Sequence, residues 1–452
     1  MAEVRGDRVE MVRGNEQCRK GTEMRPEKDW NILQKDVNCW LEAFDHPEKD
    51  RIVLHLVGTN GKGSTGRTIA LALEKMGVEK VGHFISPHVH HYEERIMVQS
   101  QPIAHETSVK IQEAMEKKGR ECHLPYIPYF ARSMVEAMLA YREANVPVIV
   151  MEAGIGGRDD CTNIVPTVMN VFTTIDFDHR DRLGNTIADI AEAKAGVIQE
   201  GSLSVSANQR PEAAVVLRET AATKGASLVF YDPNDVTNAS LKWEAGDRPK
   251  LHFHFSRGLL SGDYEARLIG EHQLQNFGTA LVAMEEFLQP TFLEKIGFSL
   301  REGMSLQEGK QQAVQQAMRE AVQEAYLPGR MEMISAYPIV FIDGAHNHQA
   351  AQVLMKNLKD LLELSPAKGK ELILLFGMHD GKLSEAEQQE FFDAFAAVYR
   401  VHVQDTDDWE VVKEMRDAME RAYREHPNGL FVAAGSLYLL DGASAWVKSR
   451  EQ

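Results

Sequence analysis

Short apolar runs and helical periodicities alternate along the chain. Residues 52–57 form an unbroken β-rich run, and residues 64–76 carry apolar positions at helical spacing. Residues 146–151 and 167–175 are again strand-like, and residues 187–197 again helical. Strands separated by helices predict right-handed crossovers and a mostly parallel sheet. The first two hundred residues therefore read as a doubly wound α/β domain. Between Gly201 and Gly270 the pattern changes. Leu251-His252-Phe253-His254-Phe255 alternates like a half-exposed antiparallel strand, and turn formers gather from Asp232 to Asn238, which predicts an edge hairpin or small subdomain. Helices follow over 276–288 and 311–326, the second stopped by Leu327-Pro328-Gly329, a natural helix stop and hinge. A second α/β series comes after it: strand 339–342, helix 350–362, strand 371–376, helix 384–399, strand 401–403, helix 409–425 and strand 430–433. The expected organisation is a flexible leader over 1–28, an N-terminal domain over 29–326 and a C-terminal α/β domain over 327–452.

Composition narrows the class without changing that picture. The 452 residues, 43% hydrophobic and 26% charged, suit a globular protein with two or three domains and exclude fibrous and mini-protein classes. Fifty Lys and Arg against 67 Asp and Glu leave a net charge of −17, which repels nucleic-acid backbones and anionic membranes, although a local basic pocket can still hold an anion. Cys18, Cys39, Cys122 and Cys161 are widely spaced, with no disulfide or zinc framework, and point to a reducing cytoplasm. The leader mixes basic and acidic residues evenly, unlike a signal or transit peptide, and no apolar run approaches the roughly 20 residues that span a bilayer.

The strongest chemical signal is Gly58-Thr59-Asn60-Gly61-Lys62-Gly63-Ser64, placed between a predicted strand and a helix. Glycines let backbone N–H groups approach phosphate oxygens, the helix N-terminus adds partial positive charge, and Lys62 supplies a point charge. Ser64 is placed to meet a phosphate-bound Mg²⁺. The strict nucleotide-loop pattern fails twice: Leu56 stands where its first glycine belongs, and Gly63 separates lysine from hydroxyl. A second strand delivers Glu152, followed by Gly154-Ile155-Gly156-Gly157-Arg158. A carboxylate there suits a metal ligand, and the rival reading is a dinucleotide fingerprint. A third strand runs into Asp176-Phe177-Asp178-His179. Serine, carboxylate and imidazole at three strand ends suggest a metal–phosphate site. His88, His90 and His91 read as loop polar contacts, and His252 and His254 as neighbours on an exposed strand face. Pro328-Gly329-Arg330 and Ile342-Asp343-Gly344-Ala345-His346-Asn347 are further clusters, and Asp343 at its strand end suits a ribose hydroxyl or an arginine.

The order of these motifs resembles the folylpolyglutamate synthase and dihydrofolate synthase family of the Mur ligase superfamily. Also carrying the resemblance are Ser86-Pro87-His88 with Glu94-Arg95-Ile96, Thr162-Asn163, Leu183-Gly184-Asn185-Thr186, Ala193-Lys194-Ala195-Gly196, Gly270-Glu271-His272-Gln273 with Asn276, and Gly435-Ser436-Leu437-Tyr438. The likeness covers roughly residues 30 to 440. It implies a P-loop NTPase-like domain and a Rossmann-like C-terminal domain that closes over it. It further implies an ATP-dependent ligase in which a folate carboxylate is phosphorylated and the amine of L-glutamate attacks the acyl phosphate. By the same resemblance Lys62 stabilises the transferring phosphoryl group, and Ser64, Glu152, His179 and a carbamylated Lys194 hold Mg²⁺. Gly58 to Ser64, Asn276, Arg330 and Asp343 bind ATP, and His346 meets glutamate at the reaction centre. A cytoplasmic monomer is expected, with no nucleic-acid or membrane partner. The chain departs from the family at Ala193, His348, Ala131-Arg132 and Asp380-Gly381-Lys382, positions that bear on which pterin is accepted. Two other readings are a Mur-type ligase acting on a peptidoglycan precursor and a non-catalytic nucleotide-binding switch protein. The Ser86-Pro87-His88 segment and the lack of an added nucleotide-sugar domain speak against the first.

Overall fold

The structure is a computed structural model that describes residues 30–244, 246–298, 311–378, 383–403, 408–436 and 439–450. The leader assigned to 1–28, the Asp380-Gly381-Lys382 departure and the Leu437-Tyr438 part of the last motif lie outside the described residues.

Eight strands build the first sheet: β1 (Ile52–Val57), β2 (Val81–Phe84), β3 (Ile96–Val98), β4 (Gln101–Pro102), β5 (Val148–Glu152), β6 (Met169–Phe172), β7 (Leu203–Ser206) and β8 (Ser227–Phe230). Their order is β4-β3-β2-β5-β1-β6-β7-β8, and only β3 runs against the others, pairing antiparallel with both β2 and β4. Helices cover both faces, so β1 and β5 are buried along nearly their whole length and need a continuous apolar run rather than alternation. The connection leaving β1 runs to β2 on one side, while the connection leaving its neighbour β5 runs to β6 on the other, so the two diverge and open a crevice at the carboxyl ends of the strands.

Strands β9 (Val236–Lys242), β10 (Lys250–Phe255) and β11 (Gly262–Ala266) form the antiparallel subdomain that the alternation predicts. Leu251, Phe253 and Phe255 turn inward, with Phe253 stacked on Tyr264 and Phe277 at 5.4 and 5.7 Å between centroids. His252 and His254 turn outward toward Glu265 and Asp263.

A second α/β sheet follows Leu327-Pro328-Gly329. Its strands are β12 (Glu332–Ala336), β13 (Ile339–Asp343), β14 (Leu372–Phe376), β15 (Ala397–Arg400) and β16 (Leu430–Ala434), ordered β12-β13-β16-β14-β15. Apolar contact joins the two halves, including an edge-on packing of Trp243 against Phe341 at 5.8 Å.

Three expectations are corrected, the first being the strand expected over 401–403, which lies just past the end of β15 at Arg400 and is not itself a strand. The helix predicted over 384–399 runs only over Glu385–Phe392, and Ala397–Arg400 is instead strand β15, paired with β14 from Ile373↔Ala397 to Phe376↔Arg400. Local periodicity favours continuing the helix. The open edge of β14 offers backbone partners that a further helical turn could not match, and Val398 and Tyr399 suit a pleated edge. The helix predicted from Asn276 begins earlier, at Glu271, because Gly270, with φ 109°, starts it.

Candidate active site

β1 delivers the glycine-rich loop across the carboxyl end of the sheet. Gly58 must be glycine, since a Cβ there would collide with the Thr173 hydroxyl, and Gly61 adopts φ 94° to start the helix Lys62–Lys75. The loop is tied to the chain leaving β6: Thr59 N–H donates to Thr174 C=O at 2.8 Å, and the Thr59 hydroxyl donates to Asp176 C=O at 2.9 Å. The first turn of the helix therefore turns its unpaired N–H groups toward the crevice.

Two lysines converge on one carbonyl. Lys62 Nζ lies 2.9 Å from the Gly58 oxygen and Lys194 Nζ lies 3.0 Å from the same atom. Burial lowers the Lys62 pKa, against the opposing pull of Glu152, Asp178 and Asp160. Burial first and Lys62 second bring Lys194 down to about 7. Lys194 is 3% exposed and lies behind the loop, outside the cavity wall.

Glu152, the last residue of β5, is buried beside the loop, and a Cβ on Gly63 would stand 3.4 Å from its Oε1. Burial raises its pKa to about 7, with Lys62 the largest opposing influence. Its Oε1 is buried with no hydrogen-bond partner. His179 does not end a strand as expected. It lies beyond the end of β6, at φ 47°, where it caps the short helix Arg180–Leu183, with Nε2 3.8 Å from Asp178 Oδ2. Glu152 and His179 also come from opposite sides of β1, because β5 and β6 flank that strand and do not touch each other. Residues 154–160 form a loop rather than a dinucleotide fingerprint. Asp160 anchors it by accepting from Ile155 N–H at 2.8 Å and from the Thr162 hydroxyl at 2.6 Å.

The C-terminal half supplies the facing wall. Asp343 accepts backbone N–H groups from Met331 at 2.7 Å and Ala345 at 2.9 Å, which fixes the Arg330 segment against the end of β13. Burial raises the Asp343 pKa and Arg330 opposes it. His346 Nδ1 lies 2.8 Å from the Gly344 oxygen. Asn347 caps the helix His348–Leu362, and Asn60 of the loop is hydrogen-bonded to Gln349 on that helix. Asn276 is buried against Gly61, its Nδ2 2.9 Å from Gln273 Oε1.

One cavity of about 970 Å³ is lined by Thr59 to Ser64, Glu152, His179, Asn276, Arg330, Asp343 and His346. Of the residues assigned from sequence to ATP, Mg²⁺ or the reaction centre, only Gly58 and Lys194 stand behind that wall. Residues not singled out also line it: Gln209 and Arg210 after β7, and Gln349, Val353, Lys356 and Asn357 on the helix His348–Leu362. The 349, 353, 356 spacing along a helix that starts at a strand end was a readable signal for the second group. His88 behaves as the loop contact expected of it, accepting from Arg95 Nε at 2.8 Å, and His90 is bonded to Asp441 across the two halves. Among the departures, Ala131 is packed in the core, Arg132 reaches Glu116 at 3.3 Å, and His348 lies 3.3 Å from Glu387.

Among the described residues, no group of three or more His, Cys, Asp and Glu side chains is arranged to hold a metal ion. The buried Glu152 carboxylate, which has an oxygen without a partner, and the buried Ser64 hydroxyl nonetheless fit a hard cation that binds through one carboxylate oxygen and takes phosphate oxygens and water as its remaining ligands.

The sequence matches the models of the Mur ligase middle domain over residues 131–284 and of the Mur ligase glutamate ligase domain over 329–436. It is 29% identical to folylpolyglutamate synthase of Lacticaseibacillus casei, over 88% of this chain and 90% of that protein. It is 33% identical to dihydrofolate synthase/folylpolyglutamate synthase of Bacillus subtilis (strain 168), over 71% of this chain and 70% of that protein. A solved folylpolyglutamate synthase complex with AMPPCP and folate superposes with a TM-score of 0.76 at 27% identity, covering 97% of this chain and 98% of that one. With two Mur ligase domains in sequence and a fold shared along nearly the whole chain, this protein belongs to the folylpolyglutamate synthase/dihydrofolate synthase family of the Mur ligase superfamily.

Proposed function

We propose that this protein is an ATP-dependent ligase that joins L-glutamate to the carboxylate of a folate. The observation that carries the reading is the single cavity in which a phosphate-binding loop and a buried carboxylate face Arg330, Asp343 and His346 of the other half. Its 970 Å³ is near the upper end of ordinary ligand pockets, roughly 300–1,000 Å³, and suits a nucleotide with a second substrate beside it.

The reaction has two displacements. The folate carboxylate takes the γ-phosphoryl group of ATP, giving an acyl phosphate and ADP. The neutral glutamate amine then attacks the acyl carbon, phosphate leaves with the bonding electrons, and the nitrogen gives up one proton, to the departing phosphate or to water, to leave the amide. Loop N–H groups and Lys62 hold the phosphates, with Lys62 drawn toward the developing charge. Ser64, Glu152 and His179 would hold Mg²⁺, joined by Lys194 in its carbamate form. The ion supplies Lewis-acid polarisation and offsets charge as two anions join. Asn276, Arg330 and Asp343 position the nucleotide, and His346 comes from the half that closes on the loop. The hinge is Leu327 to Arg330, which separates a unit over 29–326 from one over 327–452. No described helix is long and apolar enough to cross a membrane. We further propose a cytoplasmic monomer without a nucleic-acid or membrane partner; the charge of −17 supports the last part, since it repels nucleic-acid backbones and anionic membranes.

ADP release that requires both glutamate and folate is the expected result. ATP turnover indifferent to glutamate would favour the switch protein, and activity with a nucleotide-linked peptidoglycan precursor in place of folate would favour the Mur-type reading. Assaying tetrahydrofolate and dihydropteroate side by side establishes whether the enzyme is also a dihydrofolate synthase.

A prediction follows for Glu152. Glu152→Gln keeps the shape and removes the anion, so the Mg²⁺ concentration for half-maximal ADP release should rise on the order of tenfold or more. A Mg²⁺ titration identical to wild type removes Glu152 from the metal site.

A further inference from the structure

His83, on β2, is a buried histidine outside every motif described above. It is 1% exposed, and neither Nδ1 nor Nε2 has a hydrogen-bond partner. Buried imidazoles without partners are uncommon, so two orphaned nitrogens call for an account. The strand register supplies one. β2 and β5 run parallel with His83 opposite Val150, and Glu152, two residues further on, shares the face of Val150. His83 Nε2 therefore points at Glu152 Oε1 across 3.9 Å, and that oxygen is itself buried without a partner.

The ring is held there from above. A Cβ on Gly66, in the helix that follows the phosphate loop, would stand 2.9 Å from His83 Nε2 and 3.2 Å from Leu56 Cδ2. Glycine at 66 thus lets that helix close down on the imidazole. Burial disfavours the charged form of the His83 ring, and a neutral imidazole offers one N–H and one acceptor nitrogen.

We propose that His83 is a positioning residue for Glu152, donating Nε2–H to Oε1 when the other carboxylate oxygen takes the Mg²⁺ that accompanies ATP. A movement of about 1 Å by either side chain brings the pair to hydrogen-bond distance, and contacts of this kind tighten when a ligand seats. The bond fixes which carboxylate oxygen faces the cation, the orienting role that partners behind a metal ligand commonly play. The inference rests on the reading of Glu152 as a metal ligand.

The test is calorimetric binding of AMPPCP with and without Mg²⁺, which involves no turnover, for wild type, His83→Leu, His83→Gln and Glu152→Gln. Leucine fills the site without a donor, and glutamine restores an N–H at similar reach. His83→Leu should weaken the Mg²⁺-dependent part of binding about 10- to 100-fold while leaving Mg²⁺-free binding and the melting temperature no lower, and His83→Gln should recover most of the loss. In ¹⁵N-histidine spectra, the His83 Nε2–H signal should shift when Mg²⁺ and AMPPCP are added together. His83→Leu that binds like wild type while Glu152→Gln loses the Mg²⁺ effect overturns the role of His83 alone. Glu152→Gln that keeps the full Mg²⁺ effect overturns the reading of Glu152, and the inference falls with it.

Discussion

Lys62→Ala should fold normally and lose amide formation by on the order of a hundredfold or more, the usual effect of removing a preorganised charge from a phosphoryl-transfer site. Its ammonium is bonded to the Gly58 and Thr59 carbonyls at 2.9 and 3.3 Å, within the loop that closes the cavity. Burial disfavours the charge, and Glu152, Asp178 and Asp160 support it. With ATP bound, the phosphates add to that support, so the charge is best stabilised where negative charge develops. Initial rates of glutamate-dependent ADP release, together with a thermal melt, check the prediction. Wild-type turnover in a folded variant would remove Lys62 from the chemistry.

Lys194→Arg should be nearly inactive although it preserves positive charge. The small neighbours Ala193 and Ala195 leave the Lys194 side chain room to reach inward, and the structure carries it to Gly58 C=O, beside Lys62. Burial and that second cation bring its pKa to about 7, against the pull of Asp178 and Asp160. A large share of the amine is therefore neutral near pH 7. The nitrogen lone pair then adds to the carbon of carbon dioxide, a proton leaves the nitrogen, and an anionic carbamate remains. Arginine stays protonated and cannot do this. The neutral fraction grows as pH rises through 7, so activity that depends on added bicarbonate should be lost on the acidic side first. Short carboxylic acids should restore part of the activity of Lys194→Ala by replacing the anion. Lys194→Arg that works nearly as well as wild type would show that the residue acts as a cation.

Several features were open to reading in the sequence because their causes are local. A glycine-rich turn between an apolar run and a helix is dictated by φ and close approach, as Gly58 and Gly61 show. The alternation of residues 251–255 follows from a strand with one buried face. Pro328-Gly329 marks a turn by its own backbone preferences, and it lies just past the end of the helix Gln311–Glu324.

Tertiary structure decided the rest. Sequence placed Glu152 and His179 at strand ends, but only the strand order puts them on either side of β1, and only the fold brings the helix His348–Leu362 over the loop. Strand β15 exists because β14 has an open edge, a long-range fact that periodicity cannot carry. The approach of Lys194 to Lys62 and of His83 to Glu152 depends on which strands and helices become neighbours in a buried layer, where low polarity turns spacing into pKa. What the sequence by itself determined is the alphabet of the site, glycines, cations and carboxylates in order along the chain. Their distances and charge states were set by burial and strand adjacency, which no local stretch encodes.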